Sequence, residues 1–337
     1  MMSLKSISTP LNIFYQEPDP DRWLPGDRYA RRALRRLLRG PARPGGHTRV
    51  FLNLCAGLDR IGVPYRVNDF AHARRHPEDL ACVIGKAFLL EVHEWKNPIV
   101  LGPATFSHPF DQPNLLERWD IRRVLVPGPW MGTMCQPYWG DRLKVWPVGI
   151  DTDSWLPDTS ERDLDFLVYV KVLWDKEQRA ATLVEPLLDK LAARGLKSST
   201  IVYGSYREDD YRALLARSRA MIFLCEHETQ GIAYQQALSS GVPILAWDRQ
   251  GAWLDPSYYP DKVDFGPVSS VPYFDERCGD RFASIGDFDR KLDIFLAALE
   301  TGTYDPRSYV LENLTLEICA RRYVEIFDEV KSEMCGS

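Results

Sequence analysis

Along most of the chain, short continuous apolar runs alternate with longer segments whose apolar residues recur at helical spacing. LNIFY (11–15), PYRVN (64–68), ACVIG (81–85), PIVLG (98–102) and RVLVPG (123–128) read as strands. HTRVFLNLCAGLDRIG (47–62) sets Val50, Phe51, Leu54, Leu58 and Ile61 on one helical face. A second series repeats the layout, with strands at DFLVYV (165–170), STIVYG (199–204), AMIFLC (220–225) and VPILAW (242–247). Its helices are expected around 176–194, 208–218 and 231–240. Strands alternating with helices predict parallel sheets covered on both faces, and two such series predict two doubly wound α/β domains. The join falls in KVWPVGIDTDSWLP (144–157), rich in Pro, Gly and Asp.

Sheets of this kind bind ligands outside the carboxyl ends of their strands, so the loops after each strand carry the candidate chemistry. After AMIFLC come the loop EHETQ, the helix GIAYQQALSS and Gly241 as its stop. The free N–H groups at the start of such a helix suit a diphosphate. Glu228 stands in the same loop, where a carboxylate serves either as an ordinary helix cap or as an acceptor for ligand hydroxyls. YVKVLWDKE places Lys171 and Lys176 after a strand of the same series.

Composition narrows the class. The 337 residues are 45% hydrophobic and 26% charged with a net charge of −5, which gives no reason to expect nucleic-acid binding. Seven scattered cysteines form no C-x-x-C pair and read as reduced thiols, several of them inside apolar runs. No apolar stretch approaches the roughly 20 residues of a membrane span, and the N-terminus lacks a signal peptide's layout, so a cytoplasmic protein is expected. GDRYARRALRRLLRG (26–40) is an arginine-rich amphipathic helix by pattern. It can pack on its own domain with a solvated basic face, or lie on the inner face of an anionic membrane.

The stretch from Glu228 to Pro243, EtQGIAYQQALSSGVP, resembles the Glu-x7-Glu segment of retaining glycosyltransferases with the GT-B fold, the group of glycogen synthases and bacterial mannosyltransferases. Other stretches agree in order: Lys171 and Lys176 match a Gly-Arg followed by Lys, VGIDTDSWLP resembles the interdomain segment, and PGGHTRVF resembles the Gly-Gly loop and first helix. DPRSYVLENLTLEICARRYVEIFDEV resembles the closing helices that cross back to the first domain. The resemblance covers about residues 45 to 330 and implies an N-terminal acceptor-side Rossmann-like domain (1–148), a donor domain (149–305) and closing helices (306–337).

It also implies transfer of a sugar from a nucleotide-diphosphate sugar to an acceptor with retention, without a metal or a cofactor beyond that co-substrate. In this reading Lys171 and Lys176 hold the diphosphate, Glu228 holds sugar hydroxyls, and the N–H groups of Thr229, Gln230, Gly231 and Ile232 contact phosphate or sugar. Gly45, Gly46 and Gly204 let backbone approach the donor, and His108, in ATFSHPFDQP, is the candidate near the donor sugar. Lys86 follows a strand of the first series and is either a solvated strand end or a contact for an anion. The chain departs from the family at two places. Lys171 replaces an arginine, and Gln236 replaces the second glutamate, which binds ribose. An amide has one acceptor oxygen, so donor binding is expected to weaken by about 1 kcal/mol, roughly fivefold. The alternatives are a degenerate member that binds a nucleotide sugar or a partner without turnover, and a sugar-nucleotide epimerase. The acceptor, whether saccharide, lipid-linked or small molecule, is not readable. Trp247, Trp253, Tyr258, Tyr259 and 269–282 are candidates for shaping specificity.

Overall fold

The computed structural model describes residues 10–19, 24, 26, 27, 29, 30, 34, 45–103, 105–158 and 161–336. Those isolated positions apart, the basic helix expected over 26–40 lies outside the described residues.

The chain divides into two compact units. The first comprises Met1–Val126, Cys135–Trp146 and Ala320–Ser337. Its strands are β1 (Leu11–Phe14), β2 (Tyr65–Val67), β3 (Ala81–Val83), β4 (Ile99–Leu101), β5 (Ile121–Val126) and β6 (Leu143–Val145). They form one parallel sheet in the order β2-β1-β3-β4-β5-β6. The helix Gly46–Ile61 buries Val50, Leu54 and Leu58 and ends at Gly62, whose φ of 71° suits a residue without Cβ. Residues of the last helix, Leu316–Gly336, close this unit: Tyr323 meets Trp146 edge-on at 5.1 Å, and Arg123 pairs with Glu333 and Glu329.

The second unit comprises Pro127–Met134 and Pro147–Cys319. Its strands are β7 (Leu164–Lys171), β8 (Ser198–Val202), β9 (Ser218–Cys225), β10 (Ile244–Trp247) and β11 (Gly279–Phe282), parallel in the order β11-β10-β9-β7-β8. The two-residue period of the strands divides their side chains between two cores. Leu167, Tyr169, Met221, Phe223, Ile244 and Ala246 pack on one face, while Phe166, Val168, Ile222, Leu224, Leu245 and Trp247 pack on the other. This is why the strands read as unbroken apolar runs.

All the expected strands form, with ends shifted by a few residues. Two further strands, β6 and β11, complete the sheet edges and were not expected; β11 falls within 269–282, which the sequence presents as a loop. The expected helix over 176–194 is interrupted by a π turn at Ala180–Val184. All seven cysteines are free, five of them buried, whereas Cys335 is exposed. Among the described residues no helix is long and apolar enough to cross a membrane.

Candidate active site

In the second sheet the chain leaves β7 to lay β8 on one side, then places β9 and β10 on the other. The connections diverge at that switch point and leave a crevice at the carboxyl ends of β7 and β9. Lys171 ends β7 in register with Cys225, which ends β9. From there Lys171 Nζ reaches Glu228 Oε1 at 2.5 Å. The pair is largely enclosed, with side chains 17% and 9% exposed. Burial pulls the Lys171 ammonium down, but the Glu228 carboxylate outweighs it and the pKa ends raised. The two residues that the sequence assigns to phosphate and sugar therefore hold each other. Glu228 Oε2 has no hydrogen-bond partner among the described residues.

The loop around the pair is fixed by its backbone. Glu228 N–H donates to Ser269 O at 2.9 Å, and its carbonyl accepts from Trp130 Nε1 at 2.6 Å. Glu226, buried, accepts the N–H groups of Leu173 (3.1 Å) and Trp174 (3.5 Å), tying the loop after β7 to the loop after β9. Gly231 then turns the chain into the helix Ile232–Ser239 with φ at 81°. A Cβ there would lie 1.9 Å from the Tyr234 ring, so only glycine fits. The N–H groups of Thr229, Gln230, Gly231 and Ile232 have no hydrogen-bond partner among the described residues, and they form a row of free donors at a helix start.

The other sequence candidates separate by role. Lys176 is exposed at the start of its helix, without a partner among the described residues. Gln230 uses its side chain internally, accepting from Val148 N–H at 2.9 Å and donating to Gln235 Oε1 at 2.8 Å. Gln236 is buried in the helix, and its amide has no hydrogen-bond partner among the described residues. Gly204 lies in the turn after β8 with φ at 84°. Gly45, Gly46 and His108 belong to the first unit. Gly45 caps the helix Gly46–Ile61, and no atom lies within 4 Å of where a Cβ at Gly45 or Gly46 would stand. His108 is buried and accepts the Phe110 N–H through Nδ1 at 3.1 Å, capping a short turn, and burial lowers its pKa against the opposing pull of Asp111.

Three more groups at the carboxyl ends of the second sheet were missed in the sequence. His227 lies between Glu226 and Glu228 with its ring against Trp174 (5.0 Å), Trp130 (5.5 Å) and Trp253 (6.4 Å), and neither ring nitrogen has a hydrogen-bond partner among the described residues. Burial, reinforced by Lys171 and Arg249, lowers its pKa to about 3. Arg249, two residues beyond β10, has a buried Nε without a hydrogen bond. Burial and then the Arg179 guanidinium depress its pKa, with Glu226 opposing. Arg179 itself sits over the Trp247 ring at 5.4 Å. Two cations that repel each other in a partly desolvated place are poised for an anion. Only their positions after strands, or near the start of a helix after one, would have suggested them.

No protein-family model and no curated protein sequence matches the chain. Solved structures do. Sucrose-phosphate synthase from Thermosynechococcus elongatus is similar at a TM-score of 0.52 and 11% identity, covering 96% of this chain and 99% of that one. TarM of S. aureus, solved with fondaparinux, alpha-GlcNAc-glycerol and UDP, is similar at 0.53 and 13%, covering 77% of this chain and 58% of its own. A structure of accessory secretory protein 1, 2 and 3 from Streptococcus pneumoniae is similar at 0.50 and 12%, covering 79% of this chain. The match spans 56% of that last neighbour's chain. With the two parallel sheets, these likenesses establish the two-domain α/β fold of the GT-B class.

Proposed function

We propose that the chain transfers a sugar from a nucleotide-diphosphate sugar to an acceptor, with retention of anomeric configuration and without a metal. The observation that carries this reading is the Lys171–Glu228 pair at the switch point of β7 and β9, beside the free N–H groups of 229–232. A nucleotide sugar needs both halves of that arrangement: cations and amide donors for the diphosphate, and a carboxylate for sugar hydroxyls.

In this mechanism the bond between the anomeric carbon and the diphosphate oxygen breaks as the acceptor oxygen bonds to the same face of that carbon. The acceptor's proton passes to the departing phosphate oxygen. Negative charge grows on the diphosphate, and preorganised N–H groups and cations stabilise it there. Lys171, Lys176, Arg179 and Arg249 are the cations for that task. Glu228 Oε2 accepts a sugar hydroxyl while Oε1 stays with Lys171, so the pair also fixes the carboxylate's orientation. Gln236 takes the ribose end with one acceptor oxygen. Incubation with UDP-, GDP-, ADP-, CMP- and dTDP-sugars tests the reading. Slow release of nucleoside phosphate with retained sugar configuration supports it, and a sugar converted without release points to epimerisation.

A second reading, a protein that binds nucleotide sugars without turnover, is favoured by one feature: Lys171 already holds one oxygen of Glu228. Binding of a nucleotide sugar with no released nucleotide, across acceptors of saccharide and lipid-linked type, would select it.

A further inference from the structure

A cavity of about 560 Å³ opens at the carboxyl ends of β10 and β11, within the second unit. Neither Lys171 nor the Glu228 carboxylate lines it. Its polar wall sets two cations, Arg281 and Lys291, against three carboxylates, Asp248, Asp280 and Asp287. Asp248, fully buried, accepts from Gln250 Nε2 (2.7 Å), Ser269 Oγ (2.8 Å) and Ser270 N–H (3.0 Å), with Arg281 Nε at 3.4 Å. Lys291 is held by both oxygens of Asp280 at 2.9 and 3.0 Å. Asp287 caps its own helix through Ser284. With one negative charge in excess, such a wall does not attract an anion. It does offer further donors on Arg281 and Lys291 and an acceptor on Gln250 Oε1, all held in fixed places.

The rest of the wall is apolar, with Val268, Phe282 and the rings of Pro267 and Pro272. Size and lining are those of a site for a small organic ligand rather than a bare ion. A ligand with both donors and acceptors along its edge, an apolar face and no charge matches each part. We propose that this cavity binds an uncharged saccharide unit. Two of its lining residues, Ser269 and Trp130, hold the N–H and C=O of Glu228, so an occupant bears on that carboxylate through the two peptide groups that flank its Cα.

Saturation-transfer NMR on the full chain with maltotriose, chitotriose and methyl α-mannoside, in the absence of nucleotide, tests this. At least one of the three should receive saturation. Ala283→Trp fills the cavity mouth without removing a backbone hydrogen bond, and Gln250→Ala removes a polar contact; each should weaken binding tenfold or more, the first with an unchanged thermal midpoint. Glu228→Gln should keep the saccharide signal whatever becomes of nucleotide-sugar binding, which separates this site from the donor site. Three results would overturn the proposal: no saturation of any of the three sugars, equal binding in both cavity variants, or displacement by equimolar inorganic phosphate.

Discussion

Lys171 Nζ lies 2.5 Å from Glu228 Oε1, so the cation expected on phosphate and the carboxylate expected on sugar form one ion pair. Removing one partner leaves a charge in an enclosed place. Lys171→Met is predicted to cost about 3–5 kcal/mol, and Lys171→Met with Glu228→Gln to recover most of it. Urea unfolding of the two single variants and the double variant measures the coupling. Because the folded pKa of Lys171 is raised above its ordinary 10.5, the stability its ammonium contributes is complete below that pH and is lost as pH rises through the higher folded value.

His227 has the opposite sign. Its folded pKa of about 3 lies below the ordinary 6.5, so on acidification the unfolded chain gains a proton that the folded chain refuses. Stability is predicted to fall by about 2 kcal/mol from this group between pH 6.5 and 5. His227→Leu should remove one proton's worth of that slope. An unchanged slope in the variant would contradict the assignment.

Arg249 carries an unpartnered Nε and faces a second cation, Arg179, so its charge is unfavourable until an anion arrives. Arg249→Met should leave the ligand-free chain as stable as before, or more so. The same change should weaken nucleoside-diphosphate binding by about 1.5–3 kcal/mol, the range for a charged hydrogen bond. Calorimetry with UDP and GDP on both proteins decides it, and equal affinities would exclude Arg249 from the anion site.

Gln236 is buried and its amide has no hydrogen-bond partner among the described residues, which leaves it available to meet a ligand. Gln236→Glu restores a second acceptor oxygen and a charge, and nucleotide affinity should rise about fivefold. A loss of affinity would show that the amide's N–H groups, rather than its oxygen, face the ribose.

The doubly wound units were legible because central strands buried on both faces are unbroken apolar runs, as in AMIFLC. Two of the four edge strands, β6 and β11, escape that rule. LKV in β6 and GDRF in β11 are only partly buried, so polar residues interrupt them and no period stands out. Glu228 and Gly231 were legible because one short loop holds them in fixed order. Arg179 lies in the short helix after β7, and His227 and Arg249 in the loops after β9 and β10; only the sheet brings the three to one end, and no spacing along the chain records that. Gln230 enters the expected site through its backbone N–H, which has no partner among the described residues, while its side chain bonds Val148 and Gln235.

The most direct test compares a nucleotide sugar with its bare nucleoside diphosphate by calorimetry, without acceptor, on the natural chain and on Glu228→Gln. If Glu228 grips the sugar and Lys171 is shared between carboxylate and phosphate, the substitution weakens nucleotide-sugar binding tenfold or more, about 1.5–3 kcal/mol. It leaves the bare diphosphate unchanged, or binding tighter as Lys171 is released. Equal affinity of both proteins for every nucleotide sugar that binds would contradict the account.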